Sequence, residues 1–155
     1  MAIASEICNS FKQEILVAGH NFTGSTDQFK LALYSSNTAS LGKATTQWTV
    51  ASDPSATPTD TYEVSTDSTG YSSGGNTLVS TTPVVNGDSA CCLFATTTWG
   101  STASFTARGC LIYNSSASNK SVCSINFGGD KTVTSGTFTI EFPAQTAGNA
   151  IIEIT

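Results

Sequence analysis

Charge is what this chain has least of. Asp, Glu, Lys and Arg make up only 11% of its 155 residues, against roughly 25% in ordinary globular proteins. Six Lys and Arg stand against eleven Asp and Glu, a net charge of −5 at pH 7. A chain with that balance lacks the basic footprint that holds nucleic acid by its phosphates, so no direct nucleic-acid partner is expected. Histidine occurs once, at His20, and no Gly-x-Ser-x-Gly, His-Glu-x-x-His or P-loop run is present, which removes the common nucleophilic, zinc-hydrolytic and phosphate-cradling signatures. No stretch approaches the ~20 apolar residues of a membrane-spanning helix. The opening "MAIASEICNSFKQEILVAG" has no basic n-region and breaks its apolar character at Glu6, Lys12, Gln13 and Glu14, so no secretory leader is expected. The expectation is a non-enzymatic protein with no cofactor, no metal and no membrane partner.

What is abundant points to strands. Nearly a third of the residues are Ser or Thr, and 13 glycines supply turns. Thr with Val, Ile, Tyr and Phe suits pleated, half-buried strands. At this length one domain, residues 1–155, is the natural unit. One helix is expected within about 5–18: Ser10 with Gln13 matches a capping box, Ile7, Phe11 and Ile15 repeat at helical spacing, and Gly19 is placed as the terminating glycine. Its apolar face must pack on something, either a sheet of the same subunit or a neighbour.

From Gln28 the period becomes two, with Phe29, Leu31 and Leu33 on one side and Lys30, Ala32 and Tyr34 on the other. Residues 35–75 carry few apolar anchors and hold Pro54 and Pro58; they read as a long surface excursion with short strands near Trp48 and Tyr62. Strand signals resume at 77–80, 83–85 and 90–96, then at 103–113, 119–127, 136–142 and 148–154, with "NSSASN", "GGDKTVTSG" and "PAQTAG" as separators. Seven or eight strands at this spacing predict an all-β fold, an antiparallel β-sandwich with a jelly roll as the candidate topology and the short N-terminal helix appended.

The five cysteines, Cys8, Cys91, Cys92, Cys110 and Cys123, lack the two-to-four-residue spacing of a metal or redox pair, apart from the adjacent Cys91 and Cys92. Neighbours in a strand point to opposite faces, so one of Cys91 and Cys92 is expected to look outward. If "NSSASN" closes a symmetric hairpin over 114–119, Cys110 lies opposite Cys123, at a separation a disulfide spans. A bulge would shift that register.

Other candidates weigh less. His20 has no recognisable partner motif and reads as structural or surface. Asp53, Asp60, Glu63 and Asp67 in the excursion, and Glu141 and Glu153 on strands, fit solvated faces better than a glycosidase pair. "GGDK" at 128–131 offers a single Asp, short of a calcium loop, and reads as a turn. Trp48 and Trp99, with Tyr62 and Tyr71, are the candidate aromatic platform of a carbohydrate-binding module, against the commoner role of filling a core or a subunit interface. The sequons at Asn21, Asn114 and Asn119 matter only in a secreted eukaryotic protein.

The segments "SFKQEILVAGHNF", "FKLALYSSNTASLG", "YEVSTDSTGYSSGGNTL", "TARGCLIYNSSASNKSVCSINFGGDKTVTSGTFTIEFP" and "AIIEIT" resemble a group of small tailed-bacteriophage proteins taken to be virion components. The likeness is strongest from Thr106 to Thr155, and the cysteines are outside it. It implies a structural role in the virion, made in the host cytoplasm, and no catalytic residues. The expected function is a capsid decoration or cement protein, a homo-oligomer with a trimer as the candidate state, whose partners are other virion proteins and above all the major capsid protein. Residues 1–20, through Ile7, Phe11 and Ile15, are the candidate anchor. Release by lysis into an oxidising exterior would make Cys8 and the outward member of Cys91 and Cys92 candidates for bonds between subunits. A neck, tail or fibre-associated protein and a sugar-binding module on the virion are the alternatives.

Overall fold

The period-two run Phe29–Tyr34 lies in the body of a sheet, paired with a strand on each side, and that placement decides the architecture. In this computed structural model, residues 2–24, 26–35, 40–48, 62–66, 68 and 70–155 are described. The sequence readings at Asp53, Pro54, Pro58, Asp60 and Asp67 lie outside them. The elements in chain order are β1 (Glu6–Ile7), α1 (Asn9–Leu16), β2 (Phe29–Tyr34), β3 (Asn76–Leu78), β4 (Val84–Asn86), β5 (Ser89–Cys92), β6 (Thr97–Asn114), β7 (Lys120–Ile140) and β8 (Ile152–Ile154). They form a five-stranded sheet ordered β1-β7-β6-β2-β3 and a three-stranded sheet ordered β4-β5-β8, with every strand pair antiparallel. The expected all-β sandwich with one short helix is the fold. Near Trp48 and Tyr62 the structure has single bridges, Gln47 to Lys120 and Glu63 to Tyr34.

Two cores follow from the alternation of β2 and β6. Phe29, Leu31, Leu33, Cys110 and Ile112 point into the main core, together with Phe94, Cys92 and Ile152. Ala32, Tyr34, Leu111 and Tyr113 point the other way, where Ile3 and Leu41 cover them and Trp48 packs alongside. The large sheet is therefore buried on both faces at its centre.

The sequence divides 103–142 into three strands; the structure has two, of 18 and 21 residues. The separator "GGDKTVTSG" lies inside β7. Register shifts between Ala107/Gly109 and Ala103/Phe105 absorb its extra residues as bulges, with Gly128 at φ +74° and Ser135 at φ +46°, while between Trp99 and Ala103 the extra residues lie on β6. Each bulge flips the alternation. Phe127, Val133, Phe138 and Ile140 thus all end on the core side, although no single period relates them.

The helix is shorter than expected and capped differently. Its N-cap is Cys8, without a side-chain cap, because the preceding β1 pairs with Ser124 and Cys123 of β7 and runs straight into the first turn. Ser10 Oγ has no partner among the described residues. At the other end Ala18, at φ +57°, takes the left-handed position assigned to Gly19: the Ala18 N–H donates to Ile15 O at 3.3 Å and the Gly19 N–H to Glu14 O at 2.8 Å, a Schellman closure. Ile7, expected in the helical stripe, lies in β1 ahead of the helix; Phe11 is 3% exposed, and Ile7 and Ile15 pack against the main core. The apolar stripe of the helix thus docks on its own sheet.

Candidate interaction surface

The hairpin turn between β6 and β7 sets the cysteine geometry. Asn114 pairs with Lys120, so the loop is 115–119, one residue shorter than the symmetric reading. Asn114 Oδ1 accepts the N–H of Ser116 at 3.0 Å and of Ala117 at 3.2 Å, and Ser118 and Asn119 take left-handed conformations at φ +55° and +59°. A bulge at Val122 then shifts the register again: Tyr113 pairs with Ser121 but Ile112 with Cys123, and Cys110 with Ile125. Cys110 and Cys123 therefore share the core side but stand two residues out of register, where Cα atoms lie ~7–8 Å apart, beyond the usual reach of a disulfide.

All five cysteines are free thiols and all are buried. The expected Cys110–Cys123 staple is absent, and the outward-looking member of Cys91 and Cys92 is not found. Cys92 enters the main core. Cys91 lies on the opposite face of β5, shallow but 1% exposed, between its strand partners Val84 and Glu153. Cys8, the other candidate for a bond between subunits, is 0% exposed. Burial pushes the Cys8 and Cys92 thiols up to about 12 and raises Cys110. Burial, followed by the nearby Cys110, Cys8 and Cys92, raises Cys123 well above the ordinary thiol value. Four thiols thus converge on one apolar interior. No group of three or more His, Cys, Asp or Glu side chains among the described residues is arranged to hold a metal ion.

His20 is structural. Its Nε2 lies 2.8 Å from Glu14 Oε2 and its Nδ1 3.1 Å from Asn114 Nδ2. Because Asn114 Oδ1 already accepts two backbone N–H groups, the amide nitrogen donates to Nδ1, which leaves the proton on Nε2 for Glu14. The Asn114 amide also donates to Asp27 Oδ2 at 2.7 Å, and Lys120 Nζ lies 3.3 Å from Glu14 Oε1. The network ties the helix end to the hairpin turn, and both ring nitrogens are occupied. The sequence held no local signal for it, since its members span residues 14–120.

A second polar centre, part-buried, surrounds Glu63. The Tyr71 hydroxyl donates to Oε1 at 2.7 Å, the Gly74 N–H to Oε1 at 2.6 Å and Trp48 Nε1 to Oε2 at 3.2 Å. Tyr71 in turn accepts the Leu33 N–H at 3.0 Å. Burial, then the Glu63 charge, raises the Tyr71 hydroxyl far above its ordinary value. The neighbouring Gly75, at φ +70°, must be glycine: a Cβ there would overlap the carbonyl of Leu31. This carboxylate holds the loop against β2, a role its surface reading missed.

The proposed aromatic platform does not form. Trp99 is 3% exposed and packs edge-on against Phe105 and Phe138, with centroids 6.2 and 5.8 Å away. Trp48 is half-buried, with one ring face stacked on Tyr113 at 5.3 Å.

Among the described residues the fold leaves two apolar regions uncovered. At one end, the inner face of the small sheet extends past the helix: Val85, Ala90 and Ile154 form one cross-strand row, with Val85 80% and Ile154 55% exposed. Ile15 lines the same hollow as Ala90 and Ile154, and Leu16 and Val17 beyond it are 84% and 74% exposed. Along one side, Ile125, Phe127, Phe138, Ile140, Phe142 and Ile151 line a groove of about 500 Å³. The opposite face of β6 and β7 is hydroxyl-bearing, with Thr106 Oγ1 and Thr132 Oγ1 2.8 Å apart across the strands.

Fold and surface together define an all-β, two-sheet protein with open apolar flanks. No family model, curated protein or solved structure matches the chain.

Proposed function

We propose that the chain is a non-enzymatic structural protein of a phage virion, a decoration or cement protein bound to the outer capsid shell. The observation that carries the reading is the exposed apolar end at Leu16, Val17, Val85 and Ile154. At about 25 cal/mol per Å² of apolar surface removed from water, these side chains supply a contact of the order of the functional patches seen on single chains, ~300–600 Å². That is enough for a modest attachment repeated many times over a shell, and avidity across neighbouring copies does the rest. The resemblance to small tailed-phage proteins supports the same reading.

The anchor differs from the one expected. Ile7, Phe11 and Ile15 are engaged by the chain's own core, so the shell contact falls to the residues around them that the fold leaves open. The pair Leu16→Ser with Val85→Ser should leave the fold intact and lower occupancy on reconstituted particles at least severalfold. Undiminished occupancy would refute the contact. Few copies clustered at one vertex would transfer the protein to a neck, tail or fibre position.

A further inference from the structure

The hairpin that carries Val85 also carries a reactive dipeptide. Asn86-Gly87 is the only place in the chain where glycine follows asparagine. Asn86 ends β4 and pairs with Ser89, so the turn to β5 closes through Gly87 and Asp88 alone, and Gly87 stands at φ +62°, as the first residue of such a two-residue loop requires. All of β4 is exposed, it has β5 on one side only, and a Cβ built on Gly87 would meet nothing within 4 Å. Three atoms then matter. Among the described residues neither the Gly87 N–H nor Asn86 Nδ2 makes a hydrogen bond. Asn86 Oδ1 does, accepting the Ala147 N–H at 3.2 Å.

We propose that Asn86 is a site of spontaneous modification, at which the backbone attacks the side-chain amide and converts it to a carboxylate. The Gly87 nitrogen gives up its proton to solvent and bonds to Asn86 Cγ. The Cγ–Nδ2 bond breaks, and Nδ2 takes up a proton and leaves as ammonia, closing a succinimide ring. Water then opens the ring, at Cγ to give aspartate or at the backbone carbonyl of residue 86 to give isoaspartate. No oxidant or cofactor enters. The nucleophile is unengaged and uncrowded, the leaving amide is unheld, and the Ala147 N–H faces the oxygen on which negative charge gathers during the attack, as donors that stabilise an oxyanion do. Other asparagines are worse placed. Asn114 is 0% exposed with both side-chain polar atoms engaged, and after Asn149 the Ala150 N–H is held by Thr146 O at 3.1 Å. Either product sets a new charge beside Val85, which is 80% exposed, and isoaspartate also lengthens the turn by a backbone carbon. Covering that charge in an apolar contact is costly, so the contact weakens as the particle ages. This consequence, unlike the modification itself, rests on the shell contact proposed above.

The test holds the full chain folded at mildly alkaline pH, digests it in acid and follows each asparagine by mass spectrometry, with hydroxylamine as the trap for the ring. Asn86 should exchange its amide for a carboxylate well ahead of every other asparagine, and hydroxylamine should cut the folded chain into 1–86 and 87–155. Asn86→Gln, which closes only a larger ring, should stop both. Ala147→Pro removes the donor yet suits its turn: Asn149 N–H reaches Thr146 O at 3.0 Å and Gly148 has φ +80°, which puts residue 147 where such turns favour proline. That variant should convert severalfold more slowly. An unconverted Asn86, another asparagine converting as fast, or an Ala147→Pro chain as fast as the parent overturns the proposal. On reconstituted particles Asn86→Asp should lower occupancy. If Leu16→Ser with Val85→Ser lowers it and Asn86→Asp does not, the link to the contact is overturned; if neither does, the contact itself is.

Discussion

At the scale of single residues, the chemistry of this protein is closed inward. A thiol raised to about 12, as at Cys8 and Cys92, is ionised to about one part in ten thousand at pH 8, and the thiolate is the reactive form. Cys110 and Cys123, at 0% and 3% exposure, are buried in the same interior. An oxidising medium is therefore not expected by itself to stitch subunits together. An aromatic disulfide reagent at pH 8 should find no fast-reacting thiol in the native protein and all five after denaturation. A stoichiometric fast phase in the folded state, or a covalent dimer on a non-reducing gel, would contradict this. The same inwardness holds for His20 and Glu63, whose polar atoms point at backbone and side-chain partners of their own chain.

At the scale of elements, the helix and the long hairpin show what sequence patterns carry and where they stop. The Phe11 and Ile15 spacing located the helix, since apolar periodicity is a local property, whereas Ile7 falls in β1; the pattern carries no record of which surface it meets. Phe11 meets the chain's own sheet, beside Phe22 and His20. Phe11→Ala should accordingly cost about 3–5 kcal/mol of stability, read as a lower denaturation midpoint. A loss of particle binding with unchanged stability would instead restore the helix as the anchor. The period-two signals at Phe29–Tyr34 and 103–113 placed strands correctly for the same local reason. The bulges were not legible: Gly128, Gly129 and Ser135 look like loop residues, and only pairing with β6 keeps them within one strand. Register inherits that gap. The Cys110–Cys123 pairing depended on a six-residue turn without a bulge, whereas Asn114 folds back over a five-residue turn and Val122 is the added residue. The Glu14–His20–Asn114–Asp27 network and the loop around Glu63 join residues far apart in sequence, and no spacing rule announces such contacts.

At the scale of the whole molecule, low charge, a hydroxyl-bearing face and two uncovered apolar regions are the features on which the proposed adhesive role rests. The end at Leu16, Val17, Val85 and Ile154 is suited to a modest contact with a larger assembly. A shell covered by such units gains from repetition rather than from any one tight contact. Copy number in the intact particle tests this reading most directly, by imaging purified virions at a resolution that separates the capsid surface from the neck and tail. The account predicts hundreds of copies in a regular array on the outer shell; a handful at the neck or tail, or none on the particle, would contradict it.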